Sequence, residues 1–347
     1  MRYFEALDRA MYQCLKENSR ALVIGQGVTD HKAIFGTVAS AQKHFSDRLI
    51  ETPIAEESTA GICIGLALAG FYPVNTHIRS DFALLAFNQL VNLAAKYKYM
   101  FGGLFQVPML QRWVVGRSWG QGAQHSQSLQ SLVGHIPGLV VIMPSSSENV
   151  LASYAAGYAQ LESPLISLEH RLMYEMSFKE REGSLTNPLF GSQLVCSGND
   201  CTVVATSIMV IEAQRAASYL APFGISVEVI DLHSITHFDE NLIGRSAKKT
   251  GRLLVVDTSW ARFGVCSEIL AVAQKISQAE NTLIKASALG MAPSPCPTAH
   301  SLEKFFYPDL ADIVASIMEL VGVENDEIPV LEKEMATEVY KQFKGPF

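Results

Sequence analysis

The sequence predicts an α/β protein of two doubly wound domains, each a largely parallel sheet flanked by helices. Three observations lead there. Short apolar runs of strand length alternate with longer stretches at helical spacing along most of the chain, the pattern of a parallel sheet. The alternation breaks off between His170 and Gly191, where the chain turns polar, punctuated and aperiodic. The length of 347 residues exceeds one ordinary domain, at roughly 150 residues each.

The elements follow in order. Phe4 to Leu15 carries apolar residues at helical spacing, and Ala21 to Ile24 is a short buried strand. Thr52-Pro53 marks a turn, Glu56 to Gly70 a helix rich in small residues, and Pro73 to His77 a strand. Phe82 to Tyr97 is predicted as one long helix, with Phe82, Leu85, Leu90, Leu93 and Ala94 near one face. Phe105 to Leu110 is a strand, and a loop rich in Gly and Trp follows over Arg112 to Gln124. Ser128 to Val133 is a short helix. Leu139 to Met143 is a strand stopped by Pro144, Glu148 to Gln160 a helix, and Pro164 to Leu168 a strand. Beyond the interruption, strands are predicted at Cys201–Ala205, Ser226–Ile230, Leu253–Val256 and Ile284–Ala286. Helices are predicted at Val210–Leu220, Phe238–Lys248, Gly264–Lys275 and Asp309–Val321. The expected organisation is a first domain over 1–175, a linker over 176–190, a second domain over 191–322 and a tail over 323–347.

Composition narrows the function. A hydrophobic fraction of 48% excludes a disordered chain, and the net charge of −7 argues against a nucleic-acid partner. Charged residues make up 18%, few enough that part of the surface is expected against a partner chain. The six cysteines are scattered and read as reduced core thiols of a cytoplasmic protein. The N-terminus mixes charges into a helical pattern and is not expected to be a signal peptide. The long uncharged stretch from Ser58 to Ile78 reads as a packed helix and a strand, not a membrane span.

Two places stand out for chemistry. Glu56 follows Thr52-Pro53-Ile54-Ala55 at a junction into a helix, where α/β sheets place ligands. A carboxylate there is equally at home as a partner of the helix dipole, with no function needed. His125 ends a glycine-bearing loop and can present an acid/base group, or hydrogen-bond a neighbour on the surface. Phe82 suits an aromatic platform or a core position. No Walker loop, dinucleotide fingerprint, nucleophile elbow or Gly-Asp-Gly followed by a spaced Asn is present.

Taken in order, these landmarks are specific. Thr52 to Glu56, Gly61 to Pro73, Phe82, Gly102-Gly103, Val107-Pro108, His125-Ser126-Gln127-Ser128, His135 to Leu139, Met143-Pro144 and Ser167 to His170 form one series. It closely resembles the β subunit of the thiamine-diphosphate-dependent decarboxylating component of 2-oxo acid dehydrogenases. Asp231 to Ile235 and Phe263-Gly264-Val265 with Glu268-Ile269 resemble that family's transketolase-type C-terminal domain. The likeness runs over about residues 3 to 322.

The resemblance implies a pyrimidine-binding thiamine-diphosphate fold followed by a transketolase C-terminal-like domain. It implies that Glu56 contacts the aminopyrimidine of thiamine diphosphate and promotes the tautomer that can take the thiazolium proton. It gives Phe82 the packing against that ring and places His125 near the reacting carbon. The absent Gly-Asp-Gly motif is explained, because in this family an α-type subunit holds the diphosphate and Mg. An α2β2 heterotetramer and a lipoyl-bearing acyltransferase or carrier protein are the partners it implies. Some members bind potassium (K) through backbone carbonyls, which here correspond to Met109, Gly157 and Tyr158.

Several residues depart from the family pattern. Gly25-Gln26-Gly27-Val28 stands where acidic residues are usual, Glu57 follows Glu56, and His233 replaces an arginine. The loop before His125 carries Trp113, Arg117 and Trp119, and Arg117 suits a carboxylate or phosphate on a substrate or carrier as well as a solvated loop position. A pyruvate-like 2-oxo acid is the expected substrate. Two alternatives stay open here: a split transketolase-like subunit moving a two-carbon unit from a ketose, and a non-catalytic scaffold.

Overall fold

The fold is described by a computed structural model for residues 1–116, 120–178 and 187–323, with 329 and 331. Among them no helix is long and apolar enough to cross a membrane. The chain runs α1 (Tyr3–Glu17), β1 (Ala21–Gly25), α2 (Ala39–His44), β2 (Leu49–Glu51), α3 (Glu56–Leu68), β3 (Tyr72–His77), α4 (Ser80–Ala83), α5 (Tyr97–Met100) and β4 (Met109–Val115). Then come α6 (Gln130–Gly134), β5 (Val140–Ile142), α7 (Ser147–Gln160) and β6 (Pro164–His170). The six strands form one sheet in the order β2-β1-β3-β4-β6-β5, parallel throughout.

The second sheet is built by β7 (Gln193–Cys196), β8 (Cys201–Ala205), α8 (Ile208–Leu220), β9 (Val227–Asp231), α9 (Glu240–Thr250), β10 (Arg252–Trp260), α10 (Val265–Ala279), β11 (Lys285–Met291), α11 (His300–Glu303) and α12 (Leu310–Val321). Its order is β11-β10-β8-β9-β7, with β7 antiparallel at the edge. The expected fold class holds. Beyond expectation are the short edge strands β2 and β7 and the helix α2, each too brief to show a period of its own.

β4 corrects the reading around Arg112. The strand begins at Met109 and continues through Val115, fully buried along its length. Its faces alternate as strand geometry requires: Met109, Trp113 and Val115 join one apolar cluster, Leu110 and Val114 the other. Arg112 is hidden among them and so reads as loop. It is held there by Glu169 on β6, with Nε–Oε1 at 2.7 Å and Nη2–Oε2 at 2.9 Å. Tyr154 and Tyr174 donate to the same carboxylate at 2.5 and 2.8 Å. Burial works against the Arg112 charge, but Glu169 outweighs it and holds the guanidinium above its ordinary pKa.

The helix expected over Phe82–Tyr97 is broken. A 3-10 turn at Leu84–Ala86 follows α4, and a π-helical stretch spans Gln89–Ala94. The change of period rotates the residues. Ala83, Ala86, Leu90 and Ala94 are buried, while Phe82 and Leu85 turn outward. After its polar first turn α3 is apolar round its circumference: Cys63, Ile64 and Ala67 are buried in one apolar cluster, yet Ile62 is exposed. Such a helix is expected against a partner.

The two sheets are joined along a polar seam. After β5, the backbone of Val141 and Met143 bonds to the segment following β9 through Ile235 N–Val141 O and Met143 N–His233 O, both 2.8 Å. Asp231 accepts from Asn149 at 3.1 Å and from Ser145. Gln130 on α6 reaches Asp257 on β10 at 2.8 Å, and Thr206 and the Thr258 N–H donate to the same Oδ1. Among the described residues Oδ2 of Asp257 has no partner, and burial raises that carboxyl's pKa. Two apolar clusters each run through both domains.

Arg112→Met should cost about 3–5 kcal/mol, because it strands a buried carboxylate. Arg112→Met with Glu169→Gln should recover part of this, as read by denaturant unfolding. Asp257 has a folded pKa raised above its unfolded value, so its contribution is full at acid pH and is lost as pH rises through the folded pKa. The stability difference between Asp257→Asn and wild type should therefore shift in the variant's favour with rising pH, checked by melting curves from pH 4 to 8.

Candidate active site

The first sheet changes its winding direction between β1 and β3. From β1 the chain goes outward to β2, then crosses back to add β3 on the other side. A crevice forms at such a switch point, beyond the carboxyl ends of the strands. Here it is a cavity of about 200 Å³ lined by residues that include Gly25, Gln26, Thr52, Glu56, Asn75, His77, Arg79 and Phe82. Gly25 is required at its neck: a Cβ there would lie 2.8 Å from the Thr76 carbonyl oxygen.

Glu56 opens α3 and is 9% exposed, its carboxylate turned into the cavity wall. Gln26 Nε2 lies 3.5 Å from Oε1. Glu57, the neighbour, is exposed and accepts from Gln89 at 3.3 Å. Glu51 bonds the backbone N–H groups of Gly27 and Thr29 at 2.6 and 3.0 Å, which fixes the loop after β1. Burial pushes the Glu51 carboxyl up, but those bonds prevail and hold its pKa below the usual value.

Phe82 lies just past β3, 40% exposed along the cavity, so the core alternative is excluded. Its ring meets His125 edge-on with 5.2 Å between centroids. The chain positions His125 through its neighbours. Gln127 donates to Asp81 from its backbone at 3.1 Å and its side chain at 3.0 Å, and Ser80 donates to the Gln127 carbonyl at 3.1 Å. Burial raises the Asp81 carboxyl's pKa, with the Gln127 bonds opposing it. Thus Glu56 and Phe82, far apart in sequence, share the cavity, and His125 adjoins it through the Phe82 ring.

The remaining expected residues are elsewhere. Met109 starts β4, and Gly157 and Tyr158 lie in the last turn of α7, at the opposite end of the strands from Glu56. The Gly157 carbonyl accepts the Leu161 N–H at 3.3 Å. Arg117 lies outside the described residues. Among the described residues no cluster of His, Cys, Asp or Glu is gathered for a metal ion. Asn75, His77, Gln111 and Arg79 were missed from the sequence. Arg79 is 8% exposed and donates to the Gly116 carbonyl at 3.2 Å. The polar run Asn75-Thr76-His77 closing a fully buried strand was the available signal for Asn75 and His77.

The cavity has room for a substituted six-membered heterocycle. It offers a buried carboxylate, an aromatic ring and amide and imidazole groups for such a ring's edge. These features fit an aminopyrimidine. Residues 1–176 match the family model for the transketolase pyrimidine-binding domain, and 192–313 that for the transketolase C-terminal domain. Fold and site thus define a two-domain transketolase-like protein. Its relatives are more particular. The chain is 33% identical over 323 residues to the acetoin:2,6-dichlorophenolindophenol oxidoreductase subunit beta of Cupriavidus necator, covering 90% of this chain and 94% of that one. It is 33% identical over 325 residues to the mitochondrial pyruvate dehydrogenase E1 component subunit beta of Bos taurus, covering 92% and 90%. The chain belongs to the family of β subunits of thiamine-diphosphate-dependent 2-oxo acid dehydrogenase E1 components. A solved split gene transketolase, an inactive beta4 tetramer, shares the fold at a TM-score of 0.73 and 21% identity, covering 94% of this chain and 99% of that one.

Asp81→Ala should free the His125 loop. Hydrogen exchange of peptides over 122–129 should accelerate about tenfold or more, the worth of hydrogen bonds to a charged group, while β4 stays protected.

Proposed function

We propose that this chain is the β-type subunit of a two-chain enzyme that cleaves a pyruvate-like 2-oxo acid next to its carbonyl. The acyl unit passes to a lipoyl group on an acyltransferase or carrier protein. The observation that carries the reading is the buried Glu56 carboxylate on the cavity wall at the switch point, with Phe82 beside it. Thiamine diphosphate, when bound, supplies the electron sink for carbon–carbon cleavage.

The chain's own residues have distinct tasks in this reading. Glu56 holds a ring nitrogen and shares a proton with it, oriented by Gln26. Phe82 packs on the ring through the part of its surface left open. His125, edge-on to Phe82, donates a hydrogen bond to the oxygen of the reacting carbonyl as it gains negative charge. The described cavity lining offers one cation, Arg79, for a diphosphate and no paired carboxylates for Mg. An α-type subunit holds both in this reading, in an α2β2 assembly in the cytoplasm. The outward-facing Ile54, Ile62 and Leu85 flank the cavity along the chain and suit its contact. The carbonyls of Met109, Gly157 and Tyr158 are the candidates for K.

A second reading, a split transketolase-like subunit, draws on the polar lining contributed by Gln26, Thr52 and Arg79, which suits a hydroxylated donor better than an alkyl one.

The complex of both chains should release carbon dioxide from a 2-oxo acid without any ketose. Release that requires a ketose, or none from the oxo acid, favours the second reading. Glu56→Gln should lower kcat by about 10²–10⁴ without altering the thermal midpoint. A normal rate in that variant would support a scaffold role. Alone, this chain should bind thiamine diphosphate poorly by calorimetry.

A further inference from the structure

The cavity floor holds a group with no task so far. His77 ends β3 at 5% exposure, its ring edge-on to Trp113. Its Nε2 lies 3.2 Å from Asn75 Nδ2 and 3.2 Å from Gln111 Oε1, and Asn75 Nδ2 donates to Gln111 Oε1 at 3.1 Å. Both contacts fall on Nε2, so in either tautomer Nδ1 is the nitrogen left for a ligand. Among the described residues Nδ1 has no hydrogen-bond partner. Burial lowers the imidazole's pKa to about 4, against the pull of Gln111 and the Glu56 charge, so the ring is neutral near pH 7. A buried, neutral imidazole held at one nitrogen leaves the other as a hydrogen-bonding position for a ligand. It shares the cavity wall with Glu56.

We propose that His77 is a ligand-binding residue of this cavity, hydrogen-bonding through Nδ1 to the heterocycle that Glu56 engages. Asn75 and Gln111 act through it as positioning residues by holding Nε2. The inference rests on the cofactor reading above and extends it to a polar contact that Glu56 and Phe82 do not supply.

The test is calorimetric titration of thiamine diphosphate with magnesium into the co-expressed two-chain complex. His77→Phe should bind about three- to tenfold more weakly, the worth of one neutral hydrogen bond. That change leaves Asn75 and Gln111 without their partner. The triple variant His77→Phe, Asn75→Ala, Gln111→Leu removes the whole network; it should melt near wild type and bind with the same weakening. His77→Gln, whose amide can donate or accept, should recover most of the affinity. Wild-type affinity in the triple variant, or a His77→Gln complex as weak as His77→Phe, overturns the assignment of His77. A wild-type complex that does not bind the cofactor overturns the parent reading, and this one with it.

Discussion

Everything at the site depends on a reversal of winding. Because the chain crosses from β2 over to β3, the connections that leave the paired strands β1 and β3 part beyond their carboxyl ends and leave a crevice there. The crevice puts the first turn of α3 beside the last residues of β3. A carboxylate and an imidazole thus share a wall although 20 residues of sequence separate them. The buried Arg112–Glu169 pair braces the neighbouring strands beneath. With two tyrosine hydroxyls donating to Glu169, the buried carboxylate is compensated where a lone charge would not be tolerated.

The polar floor formed by Asn75, His77 and Gln111 is the second constraint. Buried amides and imidazoles are costly unless bonded, and here each satisfies another. The network fixes side-chain direction in a part of the core where apolar packing alone would allow several. Rigidity at the floor and a tethered His125 loop at the rim leave Phe82, on the cavity's open side, as the surface against which a flat ring can settle.

Much of this was legible in the sequence. The alternation of elements gave the two sheets, and the ordered landmarks singled out Glu56 and Phe82, which line the cavity, and His125, which meets the Phe82 ring. What escaped has physical causes. Arg112 and Trp113 read as loop because a charge and a bulky indole rarely sit inside a central strand; only the facing Glu169 makes that placement tolerable. The outward turn of Phe82 and Leu85 followed from a π-helical segment that no proline or glycine announces. β2 and β7 are edge strands whose pairing is decided by their neighbours.

The seam between the sheets has a consequence for access. Gln130 from one domain is seated at the carboxyl ends of β8 and β10, the switch point of the second sheet. The crevice where such a sheet would receive a small molecule is therefore occupied by the chain's own amide. Swinging the halves apart would unseat it and break the backbone ladder around Val141. These contacts hold the two domains against hinge opening at the seam.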